Sequence, residues 1–111
     1  MSLWRREASR LLPEFQKKIA APDLFGPADL WFDLTSAFLR LARERPVQSE
    51  LIGRIWEYAK WSLSHEDENV RFAVSAHFFD DLSDTRHNRE VLPAIIGEKD
   101  YKQFFLPQDS S

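Results

Sequence analysis

Four side chains capable of metal binding or acid–base chemistry lie close together between positions 77 and 87. They are separated by four, three and three residues, in the order His77, Asp81, Asp84 and His87. In a helix, spacings of three and four place side chains on one face. Imidazole and carboxylate groups are ligands for zinc and related ions, and they also act as general acids and bases. The spacing therefore raises the hypothesis of a metal-binding or hydrolytic site.

A structural role for the same residues is the alternative, and we favour it. The pattern differs from the HExxH motif, in which a glutamate beside the first histidine is the base. A hydrogen bond between His77 and Asp81, one helical turn apart, would pair the two side chains without a ligand. The residues from 70 to 79 are apolar on almost every side, which is typical of a central, packed helix. We therefore expect a packed helix and no bound metal or cofactor.

The elements that must position these residues are helices. Apolar residues recur every three or four positions along nearly the whole chain, and no alternation typical of a strand occurs. Proline and glycine fall mainly between the periodic segments. This predicts an all-α fold with one domain over residues 1–106 and a frayed tail at 107–111. Five or six helices are expected, over residues 3–20 with a break at Pro13, 27–45, 47–63, the stretch within 67–87, 89–96 and 98–105.

Composition excludes several classes of function. The chain of 111 residues is 43% apolar and 30% charged and contains no cysteine, so disulfide and thiolate chemistry are excluded. A net charge of −3 disfavours contact with nucleic acid. No apolar stretch is long enough to span a membrane. We expect a cytoplasmic protein that binds neither nucleic acid nor membranes.

Enzymatic activity is not favoured by the remaining motifs. The sequence has no GxSxG nucleophile motif, and its three isolated glycines cannot form a phosphate-binding loop. A small-molecule binder is a further alternative, because aromatic residues can line a cavity. The candidates for such a lining are Trp31, Trp56, Phe72 and Phe78.

The charge is unevenly distributed, which points to a basic partner. Residues 1–63 contain ten Lys or Arg and eight Asp or Glu, whereas residues 64–111 contain five and ten. Asp80 and Asp81 lie near a predicted helix C-terminus, where negative charge is unfavourable. We expect a basic group to offset them, either Arg86, Arg89 or a partner protein.

Three apolar residues are further candidates for partner binding. Trp61 falls outside the main apolar stripe of its helix and lies among charged residues, as an interface anchor would. Phe32 and Leu39 lie seven residues apart on a second side of theirs. Packing against neighbouring helices is the alternative for all three.

The segment DENVRFAVSAHFFDDL resembles the second helix of a HEAT-type repeat, and SELIGRIWEYAKWSLS resembles the first. The resemblance covers about 35 residues, one repeat unit. It departs from the family in its bulky Phe72, Phe78 and Phe79 and in the lack of a second copy. The matching positions are Asp67, Val70, Arg71, Ala73, Ala76 and Leu82.

The resemblance implies a short α/α superhelical stack that binds another protein. The whole chain is also similar to small bacterial helical proteins, some of which are immunity partners of toxins. A non-enzymatic protein-binding module acting as an immunity or adaptor protein is therefore the function that we expect. The sequence does not predict an oligomeric state.

Overall fold

A computed structural model describes residues 2–24, 26–44, 49–84 and 86–105, and no strand occurs within these ranges. The prediction of an all-α fold is confirmed. None of the helices in these ranges is long and apolar enough to cross a membrane. The helices are α1 (Leu3–Leu11), a 3-10 turn (Pro13–Phe15), α2 (Gln16–Ile19), α3 (Pro27–Arg43), α4 (Ser49–Leu63), α5 (Glu68–Val74), a π turn (Ser75–Phe79), α6 (Asp80–Ser83), α7 (Arg86–Ile96) and α8 (Glu98–Phe105).

Several helix boundaries follow from local chemistry. Pro13 ends α1 and begins the 3-10 turn, as expected for a residue without an amide donor. Pro27 occupies the first turn of α3, where that donor is not needed. The side chain of Asp67 caps α5 by accepting a hydrogen bond from the backbone N–H of Asn69 at 2.8 Å. Gly97, with φ of 94°, separates α7 from α8.

Other predicted boundaries differ from the structure or fall outside it. The helix predicted at 89–96 begins three residues earlier, at Arg86, and includes Pro93. Two predicted helix boundaries, the end at Arg45 and the start at Val47, lie outside the described residues. The predicted tail at 107–111 lies outside them as well.

The helix that contains His77 is not a regular α-helix. Elements α5, the π turn and α6 follow one another without a break in helical backbone and form one helix over residues 68–83, here called the central helix. Backbone hydrogen bonds in a π turn join residues five apart rather than four. Residues before and after the turn are therefore rotated relative to their positions in a regular α-helix.

The central helix packs against both α3 and α4, and Phe78 lies at the middle of this contact. Its side chain is completely buried. Its ring lies 4.8 Å from that of Trp31, 5.2 Å from that of Phe38 and 6.2 Å from that of Trp56, measured between centroids. Four large aromatic side chains thus form the centre of the core.

Helix α8 is fixed to α4 by a polar contact. The indole N–H of Trp56 donates to the carboxylate of Asp100 at 2.6 Å, and Lys60 Nζ lies 3.3 Å from the same oxygen. The N–H of Trp56, and then the Lys60 ammonium, lower the pKa of Asp100. This contact brings the rings of Phe104 and Phe105 to 5.4 and 6.1 Å from the Trp56 ring. The C-terminal helix thereby covers one side of the core.

Candidate protein-binding surface

His77 lies in the π turn, and its ring packs against an aromatic residue rather than a carboxylate. The centroids of the His77 and Phe32 rings are 4.6 Å apart, with 41° between the ring planes. Within the part of the chain that the structure describes, no hydrogen bond joins His77 to Asp81. The wider π turn explains the difference, because a four-residue spacing no longer places one side chain directly above the other.

The predicted metal-binding residues do not form a cluster where their side chains are described. No group of three or more His, Cys, Asp or Glu side chains in the described ranges could hold a metal ion. Asp81 and Asp84 are exposed to solvent. The side chain of His87 lies outside the described residues. The geometry therefore gives no support to a metal-binding or hydrolytic site.

The four aromatic residues considered for a ligand cavity do not enclose one. Trp31, Trp56 and Phe78 are buried, and the rings of Trp31 and Trp56 both pack on the ring of Phe78. The fourth, Phe72, is 68% exposed. The three buried rings therefore fill the core instead of lining an empty space.

The three apolar residues predicted to bind a partner differ in exposure. Phe32 is 57% exposed. Trp61 is half-buried, because its ring stacks on that of Tyr58 at a centroid distance of 5.8 Å and contacts His65 at 4.8 Å. Leu39 is also half-buried and lines a groove of about 210 Å³ between α3 and α7. Of the three, Phe32 offers the largest free surface.

Phe72 is more exposed than any of them, although the apolar stretch from 70 to 79 predicts a helix that is packed on several sides. It lies on the side of α5 opposite to the buried Val70 and Val74. Because the helix is apolar on almost every side, its composition did not indicate that Phe72 is exposed. The helical spacing of Phe72 relative to the two valines could have indicated it. Such an exposed phenyl ring is a candidate anchor for a protein partner.

The segment that contains Phe72 is strongly acidic. Residues 64–84 contain six Asp or Glu and a single Lys or Arg, which is Arg71. The guanidinium of Arg71 donates to the backbone carbonyls of His65 and Glu66, at 2.7 and 2.8 Å. Arg71 therefore holds the segment that precedes the central helix. We use the term acidic surface for Phe72 and the exposed carboxylates on the same helix and its C-cap: Glu68, Asp80, Asp81 and Asp84.

Three of these carboxylates are not neutralised by the arginines that follow them. Arg86 pairs with Glu90 at 3.2 Å, and Arg89 donates to the carbonyl of Ser83 at 3.4 Å. Among the described residues, no ion pair within 4.0 Å involves Asp80, Asp81 or Asp84. Their negative charge therefore lies at the negative end of the helix dipole, where it is unfavourable without a cation.

A groove borders the acidic surface, between the central helix and α8. It has a volume of about 290 Å³. Its phenyl rings contact one another, since Phe79 lies 6.0 Å from Phe104 and 5.4 Å from Phe105 between centroids. We call it the α8 groove, and it is lined by Leu63, Ser75, Phe79, Asp80, Ser83, Phe104 and Phe105.

The chain matches no known protein family, no curated protein and no solved structure.

Proposed function

We propose that the protein is a non-enzymatic protein-binding module whose partner presents a basic surface to the acidic surface. One observation supports this above the others: Asp80, Asp81 and Asp84 lie exposed at the end of the central helix and form no ion pair among the described residues, and the exposed Phe72 lies on the same helix. A partner with Lys or Arg side chains would remove the unfavourable charge. The same partner would bury the phenyl ring.

The two parts of the acidic surface have different roles in this proposal. Burying a phenylalanine side chain contributes about 1.5–3 kcal/mol, so Phe72 supplies affinity. Exposed carboxylates contribute less to affinity but accelerate the encounter with a basic partner and orient it. Binding should therefore weaken as the salt concentration rises.

The finer architecture and biological role are part of the same proposal. We propose that α4 and the central helix are a HEAT-like pair in a short α/α stack, with Asp67 capping the second helix of the pair. We further propose that the protein acts in the cytoplasm as a bacterial immunity or adaptor protein. A nuclease or another cationic toxin would have the basic surface that this role requires.

The proposal is tested by affinity capture with surface variants that leave the core intact. The variants are Phe72→Ser and the double variant Asp81→Asn with Asp84→Asn. The control is Leu3→Ser, because Leu3 is another exposed apolar side chain, 56% exposed on α1. Proteins captured from extracts of the source cell are identified by mass spectrometry.

We expect a basic protein that wild type and the Leu3 control retain and that both test variants lose. A set of captured proteins that is the same for wild type and all variants would contradict the proposal. So would a retained partner that is acidic.

A further inference from the structure

We infer that the partner docks through a cationic amphipathic helix, which places an apolar side chain in the α8 groove and basic side chains on Asp80 and Asp84. This inference rests on the proposed function and specifies the chemistry of the partner. The α8 groove has a mixed lining that suits an amphipathic helix: Leu63, Phe79, Phe104 and Phe105 are apolar, and Ser75, Asp80 and Ser83 are polar. The four apolar residues are half-buried side chains that a partner could cover.

The size of the groove favours a side chain over a free ligand. Its volume of about 290 Å³ is at the lower limit of sites that hold drug-sized molecules, which span roughly 300–1,000 Å³. One large apolar side chain from a docked helix fits a space of this size. Helix-in-groove recognition uses such anchors at helical spacing.

The position of the carboxylates favours a helix that carries positive charge. Asp80 belongs to both the groove and the acidic surface. Asp84 follows it by four residues, which corresponds to about 6 Å along a helix axis. Basic residues four apart on a docked helix have the same spacing, so a helix lying along the central helix could place one on each carboxylate. Ser75 lines the groove nearer the start of the central helix, and Phe72 precedes Ser75 by three residues.

The inference is tested with a defined probe on the full chain. The probe is a fluorescein-labelled peptide of about 16 residues, long enough to form a helix when bound, with leucines on one face and lysines on the other. A second peptide has the same composition in a scrambled order that cannot form an apolar face. Affinity is measured by fluorescence anisotropy. We expect the amphipathic peptide to bind at least about tenfold more tightly than the scrambled one, a ratio that a single filled pocket can supply.

Two variants locate the binding site. Ser75→Trp places a large ring in the α8 groove, and Leu3→Trp adds the same ring to an exposed position on α1 as the matched control. We expect Ser75→Trp to weaken binding of the amphipathic peptide by about tenfold or more and the control to leave it unchanged. Circular dichroism verifies that each variant is folded. If Ser75→Trp does not fold, Asp80→Lys tests the same wall of the groove by charge reversal, with the same expected loss.

Equal affinity for the two peptides would overturn the inference, because charge alone would then explain binding. Unchanged affinity in the folded groove variant, or no binding to wild type, would overturn it as well. None of these outcomes decides the proposed function, since partner capture also depends on Phe72 and Asp81, which do not line the groove and are not the carboxylates assigned to the docked helix. Loss of partner capture by the Phe72 variant together with equal peptide affinities would retain the proposed function and reject the helical partner.

Discussion

The hydroxyl of Thr35 donates a hydrogen bond to the backbone carbonyl of His77 at 2.6 Å, across the contact between α3 and the π turn. Thr35 is only 5% exposed, so water cannot readily replace it. Carbonyls in a π turn lose the regular pattern of α-helical hydrogen bonds. A residue from another helix thus supports the widened turn, which also places the His77 ring against Phe32.

Replacing Thr35 with valine tests the importance of this hydrogen bond. Valine has almost the same shape but no hydroxyl, so the carbonyl of His77 would be left without this donor. We expect the free energy of unfolding to fall by about 1–3 kcal/mol, measured by urea denaturation. Thr35→Ser is the control, since it keeps the hydroxyl and removes only a methyl group. A valine variant as stable as the serine variant would show that the hydrogen bond contributes little.

Two phenylalanines of the central helix form a matched pair for testing the architecture. Phe78→Ala should lower the free energy of unfolding by about 3–5 kcal/mol, because it empties a fully buried site among four aromatic rings. Phe72→Ala should change it by no more than about 0.5 kcal/mol, because the ring is 68% exposed. Similar losses for the two variants in chemical denaturation would contradict an orientation of the central helix that buries Phe78 and exposes Phe72.

These two residues also show what the sequence could predict. Helical periodicity predicted the all-α fold, the break at Pro13 and the burial of Phe78, because each depends on local spacing or backbone chemistry. It did not separate Phe72 from the core residues, because the helix is apolar on almost every side. Separating the two requires knowing which neighbouring helices pack against which face.

The π turn and the α8 groove could not be predicted for a different reason. The π turn is supported by Thr35, which is 42 positions earlier in the chain than His77. The groove depends on the hydrogen bond from Trp56 to Asp100, 44 positions later, which holds α8 in place. Contacts between residues so far apart leave no periodic signal in the sequence. The carboxylates around the groove, by contrast, were already visible as an excess of negative charge.

Addition of divalent metal tests the hypothesis that His77 belongs to a metal site. We expect zinc and manganese to leave the melting temperature of the wild type unchanged, because the His77 ring contacts Phe32 and the described carboxylates do not converge on it. A ligand that binds the folded state would raise the melting temperature with its concentration. Such a rise, abolished by both His77→Gln and Asp81→Asn, would restore the metal site.

The ion pair between Glu14 and Arg54 gives the stability a defined dependence on pH. Arg54 joins the 3-10 turn to α4 by donating to the Glu14 carboxylate, with one N–O distance of 2.7 Å, and to the carbonyl of Leu11 at 3.0 Å. Hydrogen bonding from Arg54 is the main cause that lowers the pKa of Glu14 from 4.5 to about 2. Because the pKa is lower in the folded state, the contribution of this pair to stability is fully present above pH 4.5. It is lost as the pH falls toward about 2.

Replacing Glu14 with glutamine should therefore flatten the dependence of the melting temperature on pH between about 4.5 and 2, the interval set by the shifted pKa. The effect should be modest and should shrink at high salt, because the Glu14 side chain is 45% exposed. Glu50→Gln is the matched control, since its carboxylate lies 3.9 Å from the same guanidinium but is 90% exposed. Melting curves recorded by circular dichroism across this interval separate the two variants. A Glu14 variant that loses stability with acid as steeply as the wild type would show that Arg54 does not hold this carboxylate in its charged form.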